Sequence, residues 1–561
     1  MGKSKHKTYF YKGRVVGSLH PDCLNNKTST NREKTMNVTR RTLLGSATAL
    51  AAASVTSGPL FAQQKGGTLV IVSSQVPRHL NPAVQSGTAT AVPGTQIFAS
   101  PLRFDENWQP HPYLAESWDV SADGLSVTLN LVKGAKFHDG HPITSEDVQF
   151  SIMTIKENHP FKSMFAPVDA IETPDENTAV IKLSQPHPAL LLALSSALCV
   201  IIPKHVYGDG QDIKSHPANS APVGSGPFKL EEFKAGEQIT LVRNDDFFIP
   251  NRPYLDKIVI RIIKDPSALL IAMENGDADM YPFVASSTEI KRLEAVDGLK
   301  LTGDGYAAVG PINWLAFNCA KAPLDDVRVR QAISYATDRN FVVNALHKGT
   351  SKVQRSPIIE SSPFFNPAID AYDLDLDKAN ALMDEAGHKA DGDGMRMKLT
   401  IDYIPGPAEQ QKTVAEYLKS QLKKIGIDLE VRAAPDFPTW AGRVSGQEFD
   451  MTMDVVFNWG DPVIGVHRTY LSSNIVKGVI WSNTQSYSNP KVDDLLNAAA
   501  IEMDPAKRKG LYDEFQAIVG QDVPIYWINS LPYHTAYRDK VGNVPTSIWG
   551  TMQSMDEVYI M

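Results

Sequence analysis

The sequence predicts an α/β fold, and three observations carry that expectation. Between Met397 and Val431 the apolar pattern switches from alternation to helical spacing and back. Short β-branched or alternating runs, bounded by Gly- and Pro-containing turns, recur along the rest of the chain. The 561 residues are 42% apolar and 21% charged, a composition that supports a substantial core and about three or four domain-sized units at ~150 residues each. It excludes a wholly disordered chain, a collagen, a disulfide-dense miniprotein and a multi-span membrane protein.

The first element is an address. Arg40-Arg41-Thr42-Leu43-Leu44 opens a weakly apolar Ala/Ser/Thr run that closes on Leu60-Phe61-Ala62. A basic region, a short apolar stretch and a small residue before the cut describe a secretory signal. The adjacent arginines are those of a twin-arginine signal, with an ordinary Sec signal as the alternative. The apolar stretch, Thr42 to Val55, is too short for a span of ~20 residues. Cleavage is expected after Ala62, and Met36 lies where a normal signal would begin, so 1–35 is read as preceding the true start.

Gly66-Gly67 leads into the β-branched strand Thr68–Val72. Ser121-Ala122-Asp123-Gly124 is a turn, and Val127, Leu129 and Leu131 alternate after it as a half-buried strand. Thr144 with Asp147 three residues on is a capping-box pattern opening a helix. Ile258, Ile260 and Ile262 mark a buried strand, and Asp265-Pro266 starts the helix behind it. Asp325 or Asp326 caps a helix carrying Val329, Ala332, Ile333 and Ala336 on one face.

Met397, Leu399, Ile401 and Tyr403 then alternate as a strand. Gln411–Ile425 is helical, with Val414, Leu418 and Leu422 one turn apart and Gly426 at C′. Ile427, Leu429 and Val431 alternate again. This is a βαβ unit, which implies a parallel pair with a right-handed crossover. Met451, Met453 and Val455 add a strand that runs into Phe457-Asn458-Trp459-Gly460-Asp461-Pro462. Ligands of open α/β sheets bind beyond the carboxyl ends of strands, so this loop is where a site is expected.

Charge and cysteine narrow the function classes. The formal net charge is −8. Residues 1–62 hold ten basic and two acidic groups, leaving 45 basic and 61 acidic groups, −16, on the remaining 499. An acidic body argues against nucleic-acid binding, which needs clustered Lys and Arg on phosphates. Of the three cysteines, Cys199 and Cys319 lie past the signal; a disulfide or two buried thiols are both open, since geometry decides.

No GxSxG, HExxH or GxxxxGK[ST] is present. Val223-Gly224-Ser225-Gly226 is read as a turn between strands rather than a nucleophile elbow. His138, Asp139 and His141 are read as a hydrogen-bonded loop rather than a metal site, and Asp373, Asp375 and Asp377 as helix capping rather than a calcium loop. No cofactor and no metal is expected.

Several ordered blocks resemble a known family. They are Pro112-Tyr113-Leu114-Ala115-Glu116-Ser117-Trp118 with Ser121-Ala122-Asp123-Gly124, Lys136 through Val148, and Pro222-Val223-Gly224-Ser225-Gly226-Pro227-Phe228. Phe317-Asn318 with Val327 through Ile333, and Tyr487 through Leu495, complete the set. Together, over about residues 66–530, they are similar to the family 5 solute-binding proteins, the periplasmic dipeptide and oligopeptide receptors of ABC importers. The resemblance implies a two-lobed periplasmic-binding-protein clamshell with an additional domain in lobe one. Lobe one is expected at 63–103, 222–312 and 535–561, the extra domain at 104–221, and lobe two at 313–534. It also implies a non-enzymatic, monomeric receptor that captures a small solute, foremost a peptide, and delivers it to an inner-membrane ABC permease. Receptors for sugars, opine-like conjugates or metal chelates, a sensory binding protein and, remotely, an exported peptide hydrolase are the alternatives.

In the peptide receptors an Asp holds the ligand's α-amino group, in a pattern resembling Trp-x-x-Asp-x-x-Asp-Pro. Aligned on Asp461-Pro462, Asn458 occupies the place of that Asp. A neutral amide makes a weaker bond to an ammonium than a carboxylate does. Three readings stay open: Asp461 compensates, the ligand lacks a free amine, or the loop aligns one residue off. Trp459 is expected to stack on a ligand or close the cleft. Arg78 is a candidate for a ligand carboxylate, and Trp314 and Asn318 are candidates on a lobe-linking strand.

Overall fold

The computed structural model describes residues 65–369, 372–406 and 410–561. The export signal at 1–62, with its Met36 start and its cut after Ala62, lies outside the described residues.

Two large sheets organise the chain. The first has seven strands in the order Leu299–Thr302, His534–Arg538, Met280–Val284, Thr68–Ser73, Lys257–Ile262, Gln238–Arg243 and Phe228–Lys234. Thr68–Ser73 runs parallel to Lys257–Ile262, with Thr68 opposite Lys257 and Ser73 opposite Ile262. Both are β-branched runs, as suits strands covered on both faces. The helix Pro266–Asn275 begins where expected, because Asp265 accepts from the Ala268 N–H at 2.7 Å.

The second sheet has six strands in the order Lys352–Val353, Ile525–Ser530, Pro311–Phe317, Met451–Phe457, Met397–Tyr403 and Ile427–Arg432. Its βαβ unit is the one read from the pattern: Met397–Tyr403 pairs in parallel with Ile427–Arg432. The linking helix is Gln410–Leu422, finished by a 3₁₀ turn, Lys423–Ile425, and by Gly426 at φ 79. A Cβ at Gly426 would lie 2.8 Å from the Gly394 carbonyl, so glycine is required there twice over. Asp326, not Asp325, caps the helix Val327–Tyr335 by accepting from the Arg328 N–H at 2.8 Å. Leu315, Ile401, Val414, Leu418 and Met453 fill the core on one face of this sheet, and Trp314, Val456, Tyr470, Phe515 and Trp527 fill it on the other.

A third sheet is antiparallel, in the order Ala115–Val120, Ser126–Leu131, Thr178–Leu183 and Val168–Asp175. The helix Ser145–Asn158 packs against it, and the Asp147 carboxylate accepts from the Thr144 N–H and hydroxyl, each at 2.9 Å. One apolar cluster joins Leu129 and Ile152 here to Ile71 and Ile260 of the seven-stranded sheet. This unit therefore shares its core with the first sheet. The Cys199 and Cys319 thiols are free; Cys199 is buried, and burial pushes its pKa up.

The chain crosses between the two large sheets at Gly303–Gly310 and again at Leu531–Tyr533. Each sheet with its helices is one lobe, and the two crossings are the only covalent links between them among the described residues. A cavity of about 800 Å³ opens beside both crossings, lined by Tyr306, Ala307, Lys352, Gln354, Leu531 and Tyr533 among others.

Candidate functional site

The carboxyl ends of Met397–Tyr403, Met451–Phe457 and Ile525–Ser530 face lobe one, as does the amino end of Pro311–Phe317. The Gln410 side chain, after Met397–Tyr403, donates to the Ala285 carbonyl, after Met280–Val284, at 2.6 Å. Beside it Thr350 Oγ1 donates to Ser287 Oγ at 2.8 Å and Lys348 Nζ to Thr288 Oγ1 at 2.9 Å.

Between these ends one strand is only half paired. Met451–Phe457 pairs along its whole length with Pro311–Phe317. On its other side it pairs with Met397–Tyr403 only from Met451 to Met453, and the Ile404 N–H closes on the Met453 carbonyl at 2.9 Å. Among the described residues, Asp454–Phe457 therefore presents an open edge. Such an edge can take up an extended chain by main-chain hydrogen bonds.

Charged and aromatic groups crowd this edge. Asp454 is buried; its Oδ1 accepts from the Val455 N–H at 2.6 Å and its Oδ2 from Trp481 Nε1 at 3.0 Å. Burial pushes its pKa up to about 8, against those two hydrogen bonds and the attraction of Arg468. Arg468, from the short helix His467–Tyr470, lies over the Phe161 ring with 5.4 Å from Cζ to the centroid. Burial lowers its pKa to about 10, opposed by Asp454. Trp481 in turn leans on Phe437, ring centroids 5.6 Å apart. Sequence reasoning passed over Asp454, because it stands at a polar position of an alternating strand and reads as solvent-facing.

The structure spends the expected anchors elsewhere. Asn458 is buried; its Oδ1 accepts from the Ile359 N–H at 2.7 Å and its Nδ2 donates to the Pro357 carbonyl at 3.0 Å. Asp461 caps the helix Pro462–Gly465 through the Val463 N–H at 2.9 Å and forms a buried two-pronged pair with Arg508, both bonds 2.7 Å. Burial works to raise the Asp461 pKa, but the Arg508 charge prevails and holds it below the usual carboxylate range. Compensation for Asn458 by Asp461 is thereby corrected: that carboxylate already has its cation.

Trp459 joins three parts of the molecule. Its ring lies 4.9 Å from Phe161, 5.8 Å from Phe457 and 6.4 Å from Trp549. Trp459 and Gly460 both have positive φ, 48 and 82, which turns the Gly460 N–H onto the Ala308 carbonyl at 2.6 Å. A Cβ at Gly460 would meet Leu192 at 2.4 Å. Gly460→Ala is expected to cost about 1–3 kcal/mol in a urea melt, from crowding and the left-handed backbone together.

Arg78 is exposed in the loop after the first strand. Trp314 is buried and sits opposite Asp454 in register, with its indole N–H unpartnered among the described residues. Asn318 requires a correction. Pro311–Phe317 enters lobe two at Pro311, so Asn318 lies at the strand's far end, ~20 Å from the junction at 3.3 Å per residue. Its amide donates to the Gln447 and Phe449 carbonyls at 3.1 and 3.0 Å.

The loop weighed as a metal site divides. His138 turns inward, its Nε2 3.0 Å from the Gly226 carbonyl and its Nδ1 accepting from the Gly224 N–H at 3.1 Å. Asp139, His141 and His205 remain exposed, with ligand atoms within 4.8 Å of one another, and could hold a divalent ion. The Asp139 carboxylate already meets His205 at 2.7 Å and His141 at 3.2 Å.

Residues 109–477 match the family described as bacterial extracellular solute-binding proteins, family 5 Middle. The chain is 30% identical to heme-binding protein A of Haemophilus influenzae, over 82% of this chain and 86% of that protein. It is 27% identical to the oligopeptide-binding protein AppA of Bacillus subtilis, over 83% and 87%. Among solved structures, the ABC transporter substrate-binding protein CtaP of Listeria monocytogenes matches with a TM-score of 0.78 at 27% identity, covering 89% of this chain and 100% of that one.

Proposed function

Because the chain belongs to the bacterial extracellular solute-binding proteins of family 5, we propose that it is an exported peptide receptor of an ABC importer. Family members are extracellular or periplasmic, and no described helix is long and apolar enough to cross a membrane. The observation that carries the peptide reading is the edge at Asp454–Phe457, which no strand pairs among the described residues although Asp454 Oδ1 already takes its Val455 N–H, and which ends where Pro311 enters lobe two. An extended peptide binds there as an added strand, its main chain paired and its side chains directed to alternate sides. A sheet edge recognises main chain whatever the side chains, which suits a receptor for varied peptides. Relatives named for oligopeptide binding agree with this reading.

Lobe one comprises 65–103, 222–302 and 534–561, with 104–221 inserted, and lobe two comprises 311–530, a few residues away from the bounds expected of the sequence. The crossings at 303–310 and 531–533 act as the hinge. Closure on the ligand gives an inner-membrane permease a distinct state to recognise. The Arg40-Arg41 signal directs export to the periplasm by the twin-arginine route. Trp459, with Phe161, forms the aromatic wall of the cleft, and Arg78 stands at its mouth.

The chain acts as a receptor, not an enzyme. Ser225, the one serine in an elbow-like setting, accepts from the Ala99 N–H at 2.9 Å and donates to the Ile201 carbonyl at 3.1 Å, a structural use of its hydroxyl. A non-peptide solute is the second reading, favoured by the similarity to a protein named for heme binding.

Thermal shift on protein stripped of ligand by unfolding and refolding tests the proposal. The panel holds di- to pentapeptides, N-acetylated peptides, oligosaccharides, opine-like conjugates and heme. A peptide at 100 times its Kd is expected to stabilise by about 2.7 kcal/mol. Silence from all peptides with a response to another class would replace the peptide reading, and turnover of a bound peptide would replace the receptor reading.

A further inference from the structure

We propose that Asp139, His141 and His205 form a surface site for a borderline divalent metal ion, zinc foremost, that fastens the 137–143 turn to the short helix Lys204–Tyr207. The site stands apart from the peptide-receptor reading. It lies on the unit at 104–221, beside the first turn of the helix Ser145–Asn158: Asp147 of that turn accepts from the Lys204 N–H and Glu146 pairs with Lys204 Nζ, both at 2.9 Å. Phe161, which meets Trp459, follows the other end of the same helix. Its 14 residues, at 1.5 Å each, put ~20 Å between the two places.

Local structure holds each of the three side chains. The Phe137 N–H donates to the His141 carbonyl at 2.8 Å, and the Gly140 N–H to the Phe137 carbonyl at 2.9 Å, with Gly140 at φ 90. This tight turn brings Asp139 and His141 side by side. His205 arrives from 66 residues along the chain. Spacing in the sequence therefore offers His138 as the second histidine, whereas the fold turns His138 inward onto Gly224 and Gly226 and supplies His205 in its place.

The Asp139 carboxylate spans both rings, with Oδ1 3.2 Å from His141 Nδ1 and Oδ2 2.7 Å from His205 Nε2. Among the described residues neither ring has another polar partner. The rings stack, centroids 4.1 Å apart and planes 28° apart, and Phe137 packs on His205 at 5.7 Å. The ligand atoms of a tetrahedral zinc, with bonds of ~2.0 Å, stand about 3.3 Å from one another. That is the scale of the separations here, so the ion replaces two hydrogen bonds without moving the backbone. Two imidazoles and a carboxylate suit zinc, nickel or copper, whereas magnesium and calcium take oxygen ligands. Lys204, the cation next to His205, is already paired with Glu146. The His141 side chain is 60% exposed, which gives the ion a path from solvent, and three protein ligands leave a position for water.

Calorimetry with zinc, nickel and magnesium chlorides on the untagged, chelator-stripped full chain tests the site in wild type, His141→Ala and His205→Asn. Wild type is expected to bind zinc and nickel but not magnesium. Each substitution is expected to weaken zinc binding by at least about tenfold, since even the surroundings of a metal ligand are worth that much. Anomalous scattering at the zinc edge from wild-type crystals should place the ion about 2.0–2.2 Å from an atom of each of the three side chains. Zinc binding unchanged in both variants, or no zinc peak at the three residues, overturns the site. Magnesium bound as tightly as zinc overturns it too, because the histidines then contribute nothing. A peak in the crystal without binding in solution marks an adventitious ion only and likewise overturns it. The scattering experiment needs no substitution, so misfolding of either variant does not protect the proposal.

Discussion

Arg508→Met is expected to lower the unfolding free energy by about 3–5 kcal/mol, the cost of leaving one member of a buried ion pair alone. Both partners are nearly inaccessible, with 4% and 6% of their side-chain surfaces exposed. Asp461 would lose two 2.7 Å bonds and keep only the Val463 N–H. Arg508 also donates to the Ala499 carbonyl at 2.8 Å and faces the ring of Phe364, so a methionine of similar length keeps the packing and isolates the charge. The double substitution Arg508→Met with Asp461→Leu is expected to recover most of the loss. Replacing both charges by apolar groups is often neutral, and what remains is the lost helix cap, about 1 kcal/mol. Urea melts of the three variants and wild type measure this directly. A single-variant cost under about 1 kcal/mol would mean that the pair contributes no more than an exposed one.

The difference between Asp461 and Asp454 shows what was legible in the sequence. The local elements were: alternation at Met397–Tyr403, the leucine ladder of Gln410–Leu422 and the αL glycine at 426 are set by neighbours within a few residues. The Asp-Pro pair at 265–266 was legible as a helix start for the same reason. The roles of the acids were not. Asp461 is silenced by an arginine 47 residues away, and the Asn458 amide by a loop about 100 residues back. Pairing of Thr68–Ser73 with Lys257–Ile262 spans a still longer interval. Asp454 was hidden by a rule that usually works. In a strand of Met451, Met453 and Val455, the intervening residues belong on the wet face. Here helix Phe437–Ser445 and the 475–486 loop cover that face, bringing Trp440 and Trp481 against Thr452 and Asp454. The consecutive Val455-Val456-Phe457 was the available signal, since an apolar run marks a strand covered on both sides.

Asp454 also makes stability depend on pH, in the direction opposite to Asp461. Its folded pKa is raised to about 8 from an ordinary 3.8, with burial the leading cause. The folded protein therefore holds a proton between pH 4 and 8 that the unfolded chain releases. The sign follows from linkage: this contribution is fully present below the unfolded pKa and is lost as pH rises through the folded one, by up to about 1.4 kcal/mol per pH unit. Asp461, with its pKa lowered, contributes stability above the unfolded carboxyl pKa and has no slope in the same window. In denaturant melts at pH 5, 6, 7, 8 and 9, Asp454→Asn is expected to gain on wild type by several kcal/mol up to pH 8, then level off. Asp461→Asn should lose stability by a constant amount over that range. A difference between Asp454→Asn and wild type that stays flat from pH 5 to 9 would mean that Asp454 is already ionised in the free protein.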